Sequence, residues 1–313
     1  MTFKPFGLTL AATLIAGALV TLPAYAQSDA SKSTITITHA QGTTEVPVNP
    51  QKVFTYDLAA LDTLDALGIE VDGVPAAVYP EHLSKYAGDD YEKIGSLFEP
   101  DYEAVNAAQP DLIIVAARSS TAYEELSKIA PTIDLSNAWD NFVPSIKANS
   151  EIIGEIFSKQ DEVAALEAEL DAKIASVQAK AADLGSVFIV LTSGGKVTAY
   201  GPGSRFGFVH DTLGLTPAIE DVDAATHGEA ISFEFILETS PDWIIAIDRD
   251  AGVGSTDGAS ARQTLDNALV HETNAWKNDR IVYIDPVRWY IVNGGLANLN
   301  AIAGNLDAAL TAE

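Results

Sequence analysis

Residues 100–118 read PDYEAVNAAQPDLIIVAAR, and residues 231–249 read ISFEFILETSPDWIIAIDR. Aligned without a gap, both stretches predict a short helix, a turn at a proline–aspartate pair, a buried apolar strand and a closing arginine. Ligands of open α/β sheets bind beyond the carboxyl ends of the strands. The repeat therefore predicts two lobes that each direct one arginine toward a shared cleft. The residues that recur in register are Glu103 and Glu234, Pro110 and Pro241, Asp111 and Asp242, Ile113 and Ile244, Ile114 and Ile245, and Arg118 and Arg249.

Strand and helix signals alternate along the rest of the chain. This alternation predicts an α/β fold of two lobes with mainly parallel sheets. The predicted strands are 35–39, 52–56, 71–74, 112–116, 133–135, 187–192, 243–247 and 281–284. The predicted helices are 58–67, one after Pro100, 122–129, one from Phe206, one from Phe233, one around 262–269, and one from about Leu296.

A long amphipathic stretch separates the two halves. Between Ile156 and Ala181, apolar residues recur every three, four or seven positions, as on one face of a helix. An unbroken helix over 158–184 would span roughly 40 Å and would bridge the lobes, which predicts limited closure. A dimeric coiled coil is the alternative. The predicted division is a signal peptide at 1–26, an N-terminal lobe at 27–150, a connecting helix at 151–184 and a C-terminal lobe at 185–313, with the ligand cleft between the lobes.

The first 26 residues have the pattern of a secretory signal peptide. Lys4 precedes an apolar run from Leu8 to Leu22, and residues 24–26 form a small-x-small cleavage motif that ends at Ala26. A retained membrane anchor is the alternative, although the run is short for a membrane span. The chain has no cysteine, which excludes disulfides and a lipid-modified N-terminal cysteine. Together these features predict an exported, periplasmic protein that is cleaved after Ala26.

The charge balance limits the kind of partner. The chain has 18 basic and 44 acidic residues, a net charge of −26, so nucleic acid and anionic membranes are not expected to bind. An arginine at a strand end is notable in such a chain. A third arginine, Arg205, lies in the glycine-rich segment 200–208, before a predicted helix, although a plain turn is the alternative there. Because guanidinium grips oxygen anions and stacks on aromatic rings, Arg118, Arg205 and Arg249 together suit a large, anionic, aromatic ligand.

Two further residues are candidate iron ligands. His227 lies in the predicted loop before the second repeat, and Tyr290 lies in a predicted loop, 285–295, after the last strand. Imidazole and phenolate are suitable ligands for ferric iron, whereas singly they would be a surface histidine and a packing tyrosine. The segment 250–260 is expected to line the cleft beside Arg249. Motifs for zinc or calcium sites, for nucleotide binding and for a nucleophilic serine are absent from the sequence, which argues against a dedicated metal site and against an enzyme.

From about residue 35 to 313, the chain resembles the periplasmic substrate-binding proteins of ABC importers for iron–siderophores and cobalamin. Within this group it is similar to the catecholate-siderophore binders of the enterobactin and petrobactin kind. The resemblance is long and depends on specific motifs. The segments that carry it are 56–75, 96–114, 127–136, TAYGPGSRFGF at 198–208, THGEAISFE at 226–234, and the DPxxWY motif at 285–290.

The resemblance implies a class III fold, two α/β lobes joined by a long helix, and a monomer without an intrinsic cofactor. It implies that Arg118, Arg205 and Arg249 surround a ferric catecholate, the form in which iron is bound. It also implies that His227 and Tyr290 complete the iron shell of tetradentate siderophores. Glu103 and Glu234 would dock the two lobes on an ABC permease dimer of the inner membrane. Arg288 departs from the family pattern. Cobalamin, haem or a hydroxamate siderophore remains the alternative ligand, and a periplasmic hydrolase is the alternative of a different class.

Overall fold

The computed structural model describes residues 1–4, 33–220, 222 and 227–311 of the chain. The predicted cleavage site after Ala26, and the predicted signal peptide beyond its first four residues, lie outside the described residues. Residues Ser33–Glu313 form one unit.

The N-terminal lobe is built on a parallel sheet. Its strands are β1 (Thr34–His39), β2 (Gly42–Pro47), β3 (Val53–Thr55), β4 (Gly73–Ala76), β5 (Glu92–Ser96), β6 (Leu112–Val115) and β7 (Thr132–Asp134). The first two form an antiparallel hairpin. In the described ranges, the other five form a sheet in the order β5-β4-β3-β6-β7, with every neighbouring pair parallel. The helices are α1 (Leu58–Ala66), α2 (Tyr102–Ala108), α3 (Tyr123–Leu126) and α4 (Phe142–Phe157).

The C-terminal lobe has a mixed sheet. Its strands are β8 (Ser186–Ser193), β9 (Lys196–Tyr200), β10 (Thr216–Pro217), β11 (Glu229–Ile231), β12 (Trp243–Asp248) and β13 (Ile281–Tyr283). The order is β11-β9-β8-β12-β13. β8, β12 and β13 are parallel, as are β10 and β8, whereas β9 and β11 are antiparallel to their neighbours. The helices are α5 (Gln160–Ala181), α6 (Phe208–Asp211), α7 (Phe233–Thr239), α8 (Arg249–Gly252), α9 (Ala261–Leu265), α10 (Asn274–Lys277) and α11 (Leu296–Ala309). The prediction of α/β lobes with mainly parallel sheets is confirmed.

Both copies of the repeat fold as a helix, a turn and a buried strand, as predicted. α2 and α7 each begin at a capping side chain, Asp101 and Ser232, which accept hydrogen bonds from the amides of Ala104 and Phe235. Each helix ends at a residue with left-handed backbone, which turns the chain into the strand. The strands β6 and β12, each with a neighbour on both sides, then run through the two sheets, and their carboxyl ends lead to Arg118 and Arg249.

The connecting segment differs from the unbroken helix predicted over 158–184. α4 ends at Ser158, whose φ is 56°, and α5 begins two residues later. The left-handed residue reverses the chain so that α5 packs back on α4, where Val163 lies against Gly154. Residues 151–157 of the predicted connecting helix therefore belong to α4, and the helix that follows is α5, about 33 Å long at 1.5 Å per residue. The lobe boundaries at 27–150 and 185–313 remain predictions.

Other predicted elements exist but with different lengths or type. The helices predicted at 122–129, from Phe206 and around 262–269 are each only four or five residues long as α-helix. The predicted loop at 285–295 contains a π-helix, Val287–Val292. A π-helix is a rare element with i→i+5 hydrogen bonds, here from the Asn293 amide to the Arg288 carbonyl at 3.0 Å. Tyr290 thus lies on a short helix and not on a free loop.

A continuous apolar core joins the sheets to the connecting helices. One cluster of buried side chains includes Leu64 of α1, Leu170 of α5, Val187 of β8 and Leu306 of α11. α11 packs against both α5 and α1. The C-terminal helix therefore returns to the N-terminal half of the chain.

Candidate functional site

The folded repeat places two predicted binding arginines at equivalent points of the two sheets. Arg118 follows β6 in a 3₁₀ turn, Ala117–Ala122, and Arg249 is the first residue of α8, directly after β12. Asp248 caps α8 by accepting a hydrogen bond from the Ala251 amide at 3.0 Å. Arg205 lies in the turn between β9 and α6. These are the carboxyl ends of strands and their following turns, where α/β sheets bind ligands.

A cavity of about 510 Å³ brings the predicted ligand-binding residues together. Arg118, Arg205, Arg249, His227 and Tyr290 all line it. The sequence predicted this convergence, and the binding role of each residue stays a prediction. The lining residues that sequence reasoning missed are Asp57, Ala59, Phe98, Ala116, Ala117, Asn137, Trp139, Val292 and Asn293. They lie in loops or at element ends, where periodicity carries no signal. The signal in the sequence that could have found some of them is an aromatic residue in an otherwise polar segment, such as Phe98 or Trp139.

Tyr290 is the point on which the three arginines converge. Arg118 Nη2 donates to the Tyr290 carbonyl at 2.9 Å, and its Nη1 donates to the Ile291 carbonyl at 3.1 Å. Arg205 Nη2 also donates to the Tyr290 carbonyl. Arg249 Nε donates to the Tyr290 phenol oxygen at 3.0 Å. Two guanidinium groups thus hold the carboxyl end of the π-helix, where its dipole is negative, and the third holds the side chain.

Arg205 is the most deeply buried of the three arginines, with 9% of its surface exposed. Its guanidinium carbon lies 4.4 Å from the centre of the Tyr290 ring and 5.4 Å from that of Phe206. With its amide oxygen turned toward Arg205, Asn293 accepts a hydrogen bond from Nε at 3.0 Å. Burial, and secondarily the charge of Arg118, lower the pKa of Arg205 to about 10. The group therefore remains charged at neutral pH.

Among the residues that the structure describes, Asp57 is the one carboxylate that lines the cavity, and its charge acts on Arg118. Burial lowers the pKa of Arg118, and the charge of Asp57 opposes this shift. Burial also raises the pKa of Asp57, against the hydrogen bond from the Ala60 amide and the charge of Arg118. Asp57 caps α1 through that 2.8 Å hydrogen bond. Within the described part of the cavity wall, three guanidinium groups thus face one carboxylate, which leaves an excess of positive charge there.

Arg249 has a more open environment. Its side chain is 42% exposed, and its Nη1 lies 3.5 Å from an oxygen of Asp250. Asp250 is itself fixed by the Ser193 hydroxyl and the Gly194 amide, at 2.9 and 2.6 Å. The amide hydrogen bond is the main cause that lowers the pKa of Asp250, whereas the hydrogen bond to Tyr290 raises the pKa of Arg249. The guanidinium is oriented from one side and accessible from the other.

The two candidate iron ligands, His227 and Tyr290, do not by themselves form a complete metal site. His227 is exposed at the cavity wall, beside β11. Over the residues that the structure describes, no three His, Cys, Asp or Glu side chains cluster in a way that could hold a metal ion. A ferric ion held here would need most of its ligands from a chelator. Arg288 does not line the cavity.

Glu103 and Glu234, the predicted docking residues, lie away from the cavity. Both are exposed and occupy the second position of their helices, α2 and α7. The repeat therefore presents one carboxylate at an equivalent point of each lobe. Tyr102 and Phe235, their neighbours, are 40% and 37% exposed. Docking by these residues remains a prediction.

No helix within the described ranges has the length and apolar character needed to cross a membrane. The sequence profile of the periplasmic binding protein family matches residues 53–287. A relative from Bacillus subtilis, the petrobactin-binding protein YclQ, is 42% identical over 277 residues, which cover 87% of each chain. The ferric-anguibactin-binding protein FatB of Vibrio anguillarum is 34% identical, over 96% of this chain and 97% of its own.

A solved structure shares the architecture. The periplasmic catecholate-siderophore binding protein VctP of Vibrio cholerae superposes with a TM-score of 0.83 at 35% identity, over 88% of this chain and all of its own. These relatives are binding proteins rather than enzymes. The profile match, the long alignments and the two-lobed fold place this chain in the periplasmic binding protein family.

Proposed function

We propose that this chain is a periplasmic binding protein for a ferric catecholate siderophore and delivers it to an ABC importer of the inner membrane. The observation that carries the proposal is the convergence of three guanidinium groups on one cavity in a chain whose net charge is −26. Relatives named for petrobactin and ferric anguibactin, and a neighbour named for catecholate siderophores, support this ligand class.

The cavity suits such a ligand in size and charge. Its volume, about 510 Å³, lies in the range of sites for small molecules. A guanidinium has five N–H donors, and Arg118 uses two of them on the carbonyls of the π-helix. Donors thus remain to bind catecholate oxygens. The rings of Phe98, Trp139 and Tyr290 in the wall offer apolar surface to the catechol rings.

Iron enters as part of the ligand, without an intrinsic cofactor. A hexadentate siderophore fills all six positions of ferric iron, whereas a tetradentate one leaves two open. We infer that His227 and Tyr290 fill these two positions, because imidazole and phenolate are suited to ferric iron. The Arg249 guanidinium, 3.0 Å from the phenol oxygen, stabilises the negative charge of a phenolate.

The delivery role follows from the second feature of the repeat. Exposed Glu103 and Glu234, one on each lobe, are suited to meet two basic sites on a permease dimer. The chain acts as a monomer and performs no chemistry on its cargo in this proposal. Export would require removal of residues 1–26.

Quenching of tryptophan fluorescence tests the proposal. Trp139 lines the cavity, so a bound ligand that absorbs in the near ultraviolet, where tryptophan emits, should quench its fluorescence. Purified protein is titrated with a ferric catecholate, a ferric hydroxamate, cobalamin and haem. We expect saturable, tight quenching by the ferric catecholate and weak quenching by the others. Preferential binding of cobalamin, haem or hydroxamate would contradict the ligand class.

A further inference from the structure

Two hydrogen bonds between Asn298 and Arg288 fix the π-helix, and neither of these residues lines the cavity. Asn298, on α11, is fully buried. Its Oδ1 accepts a hydrogen bond from Arg288 Nη1 at 3.2 Å, and its Nδ2 donates to the Arg288 carbonyl at 3.1 Å. One amide side chain thus holds both the guanidinium and the main chain of Arg288, two residues before Tyr290. Asp285 adds a second anchor through the Arg288 amide, at 3.1 Å.

α11 is in turn fixed to the N-terminal lobe. Its first-turn amides have no capping side chain of their own, because the preceding residue is Gly295. The Leu296 amide instead donates to the Thr63 hydroxyl at 3.0 Å, and the Asn298 amide donates to Asp62 Oδ2 at 2.8 Å. A Cβ at Gly295 would lie 2.5 Å from that oxygen. Side chains of α1 therefore cap α11 at a contact that only glycine permits.

Asp62, which accepts the hydrogen bond from the Asn298 amide, is itself fixed by a further contact. The Asp62 side chain has no exposed surface, and its other oxygen lies 2.7 Å from His82 Nε2. Burial raises the pKa of Asp62, whereas the hydrogen bonds from His82 and Asn298 lower it. The network runs from His82 through Asp62 to α11, and from Asn298 through Arg288 to the π-helix. None of its polar side chains lines the cavity.

We propose that Arg288 and Asn298 are positioning residues for Tyr290: they fix the π-helix so that its phenol stands ready at an open coordination site of the iron. This inference rests on the proposed function, since it gives Tyr290 a place in the iron shell. It assigns to Arg288 a role that does not involve the ligand. Groups that orient a metal-binding side chain typically change metal affinity by about 10- to 100-fold when removed.

The test compares two buried asparagines of the same helix. Asn298→Ala breaks the pairing with Arg288 and keeps the main-chain bond to Asp62. The matched control is Asn300→Ala, because Asn300 is also buried but donates to Leu166 and Leu296, away from the π-helix. Each protein is titrated with a tetradentate and a hexadentate ferric catecholate. Tryptophan quenching gives the affinity, and visible absorbance reports the charge-transfer band of iron bound to phenolate.

We expect Asn298→Ala to bind the tetradentate complex about 10- to 100-fold more weakly and to lose the absorbance shift, with hexadentate binding retained. Asn300→Ala should keep both. A purely structural role predicts similar losses of stability in the two variants and a normal shift in each, which would overturn the inference. If Asn298→Ala fails to fold, Arg288→Ala replaces it, because that side chain is partly exposed.

The proposed function and the positioning role of Arg288 and Asn298 can be contradicted separately. If the wild-type protein binds the tetradentate complex but shows no absorbance shift, Tyr290 is not an iron ligand, and this inference falls with that role. If the wild-type protein binds no ferric catecholate, the proposed function falls. A shift in the wild-type protein that survives in Asn298→Ala and Arg288→Ala would overturn only the positioning role.

Discussion

The two copies of the repeat, 100–118 and 231–249, share a scaffold but differ in how their arginines are used. In both, the aspartate of the turn binds the start of the neighbouring strand. Asp111 accepts from the Gln51 and Lys52 amides, at 2.9 and 3.0 Å. Asp242 accepts from the amide and hydroxyl of Ser186, at 2.9 and 3.1 Å. Part of the recurrence in sequence therefore reflects folding and not ligand binding.

The arginines differ because their surroundings differ. Arg118 reaches from the N-terminal lobe to two main-chain carbonyls of the π-helix, 172 and 173 positions away in sequence. Arg249 is on the same lobe as the π-helix, touches only the Tyr290 phenol of it, and is held by Asp250. Arg118 thus joins the lobes as well as lining the cavity, whereas Arg249 makes its contacts within one lobe and lines the cavity with a partly exposed side chain. Equivalent positions do not imply equivalent roles.

The largest effect should follow removal of Arg118. Arg118→Ala deletes a ligand contact, worth about 2–5 kcal/mol when desolvated, and two hydrogen bonds between the lobes, worth about 1.5–3 kcal/mol each when a charged group is the donor. We expect both a large loss of affinity for ferric catecholate and a lower melting temperature. Fluorescence titration and circular dichroism measure the two quantities. An unchanged melting temperature of Arg118→Ala would show that Arg118 does not stabilise the contact between the lobes.

Arg249→Ala should separate binding from stability. We expect an affinity loss of about 2 kcal/mol, the lower end for charged contacts because the side chain is partly exposed, with nearly unchanged melting. Arg262→Ala is the matched control, since Arg262 packs over Tyr283 at 4.0 Å in the same lobe and does not line the cavity. Equal affinity of Arg249→Ala and the parent for ferric catecholate would contradict the binding role.

Changes at the iron shell should depend on the siderophore. We expect the double variant His227→Ala/Tyr290→Phe to bind a hexadentate complex normally, because such a complex leaves no open position on the iron. A tetradentate complex should lose both affinity and its charge-transfer shift. Parallel titrations with absorbance detection check this. If binding of both complexes weakens equally, these side chains make packing contacts with the ligand and are not iron ligands.

The scaffold aspartates should affect stability alone. Asp111→Ala and Asp242→Ala each remove the acceptor of donors at the start of a strand, which are exposed or partly buried, at a cost of about 1 kcal/mol per hydrogen bond. We expect similar losses in the free energy of unfolding, measured by urea titration, and unchanged ligand affinity. A markedly larger loss at one site would show that the two scaffolds are less equivalent than their geometry suggests.

The smallest effect on the isolated protein should follow charge reversal at the exposed glutamates. Glu103→Lys and Glu234→Lys should leave affinity unchanged, because neither carboxylate lines the cavity. Melting should change little, because a charge in the exposed first turn of a helix is worth only about 0.3–1 kcal/mol. Ligand-stimulated ATPase activity of the reconstituted importer should nevertheless fail. Glu238→Lys, an exposed change on the same helix as Glu234, is the control. If transport is normal when both glutamates are replaced by lysine, their role is limited to stabilising the helix dipole.

The sequence predicted the elements whose pattern is local. Apolar runs after proline–aspartate pairs located β6 and β12, and the register of the repeat located Arg118 and Arg249. The π-helix was wrongly predicted as a loop, because an extra residue in a helical turn has no period in the sequence and depends on α11 and the arginines. The contacts of Arg118 with Tyr290 and Ile291 join distant parts of the chain, so no local pattern could indicate them.

The predicted connector shows the same limit. The apolar stripe correctly identified α5, but the break before it depends on one left-handed residue, Ser158. Serine has no strong preference for that conformation, so its packing context decides it. The cavity residues Phe98 and Trp139 were missed because Phe98 lies in a loop and Trp139 begins a 3₁₀ turn of only three residues, and neither segment has a periodic pattern.

Anomalous scattering from iron tests the central claim most directly. Crystals grown with a ferric catecholate are measured at the iron absorption edge, and the structure is refined with the ligand. The account predicts one iron peak inside the cavity, with N–H groups of Arg118, Arg205 and Arg249 bound to catecholate oxygens. An iron peak outside the cavity, or a ligand that none of these arginines contacts, would contradict it.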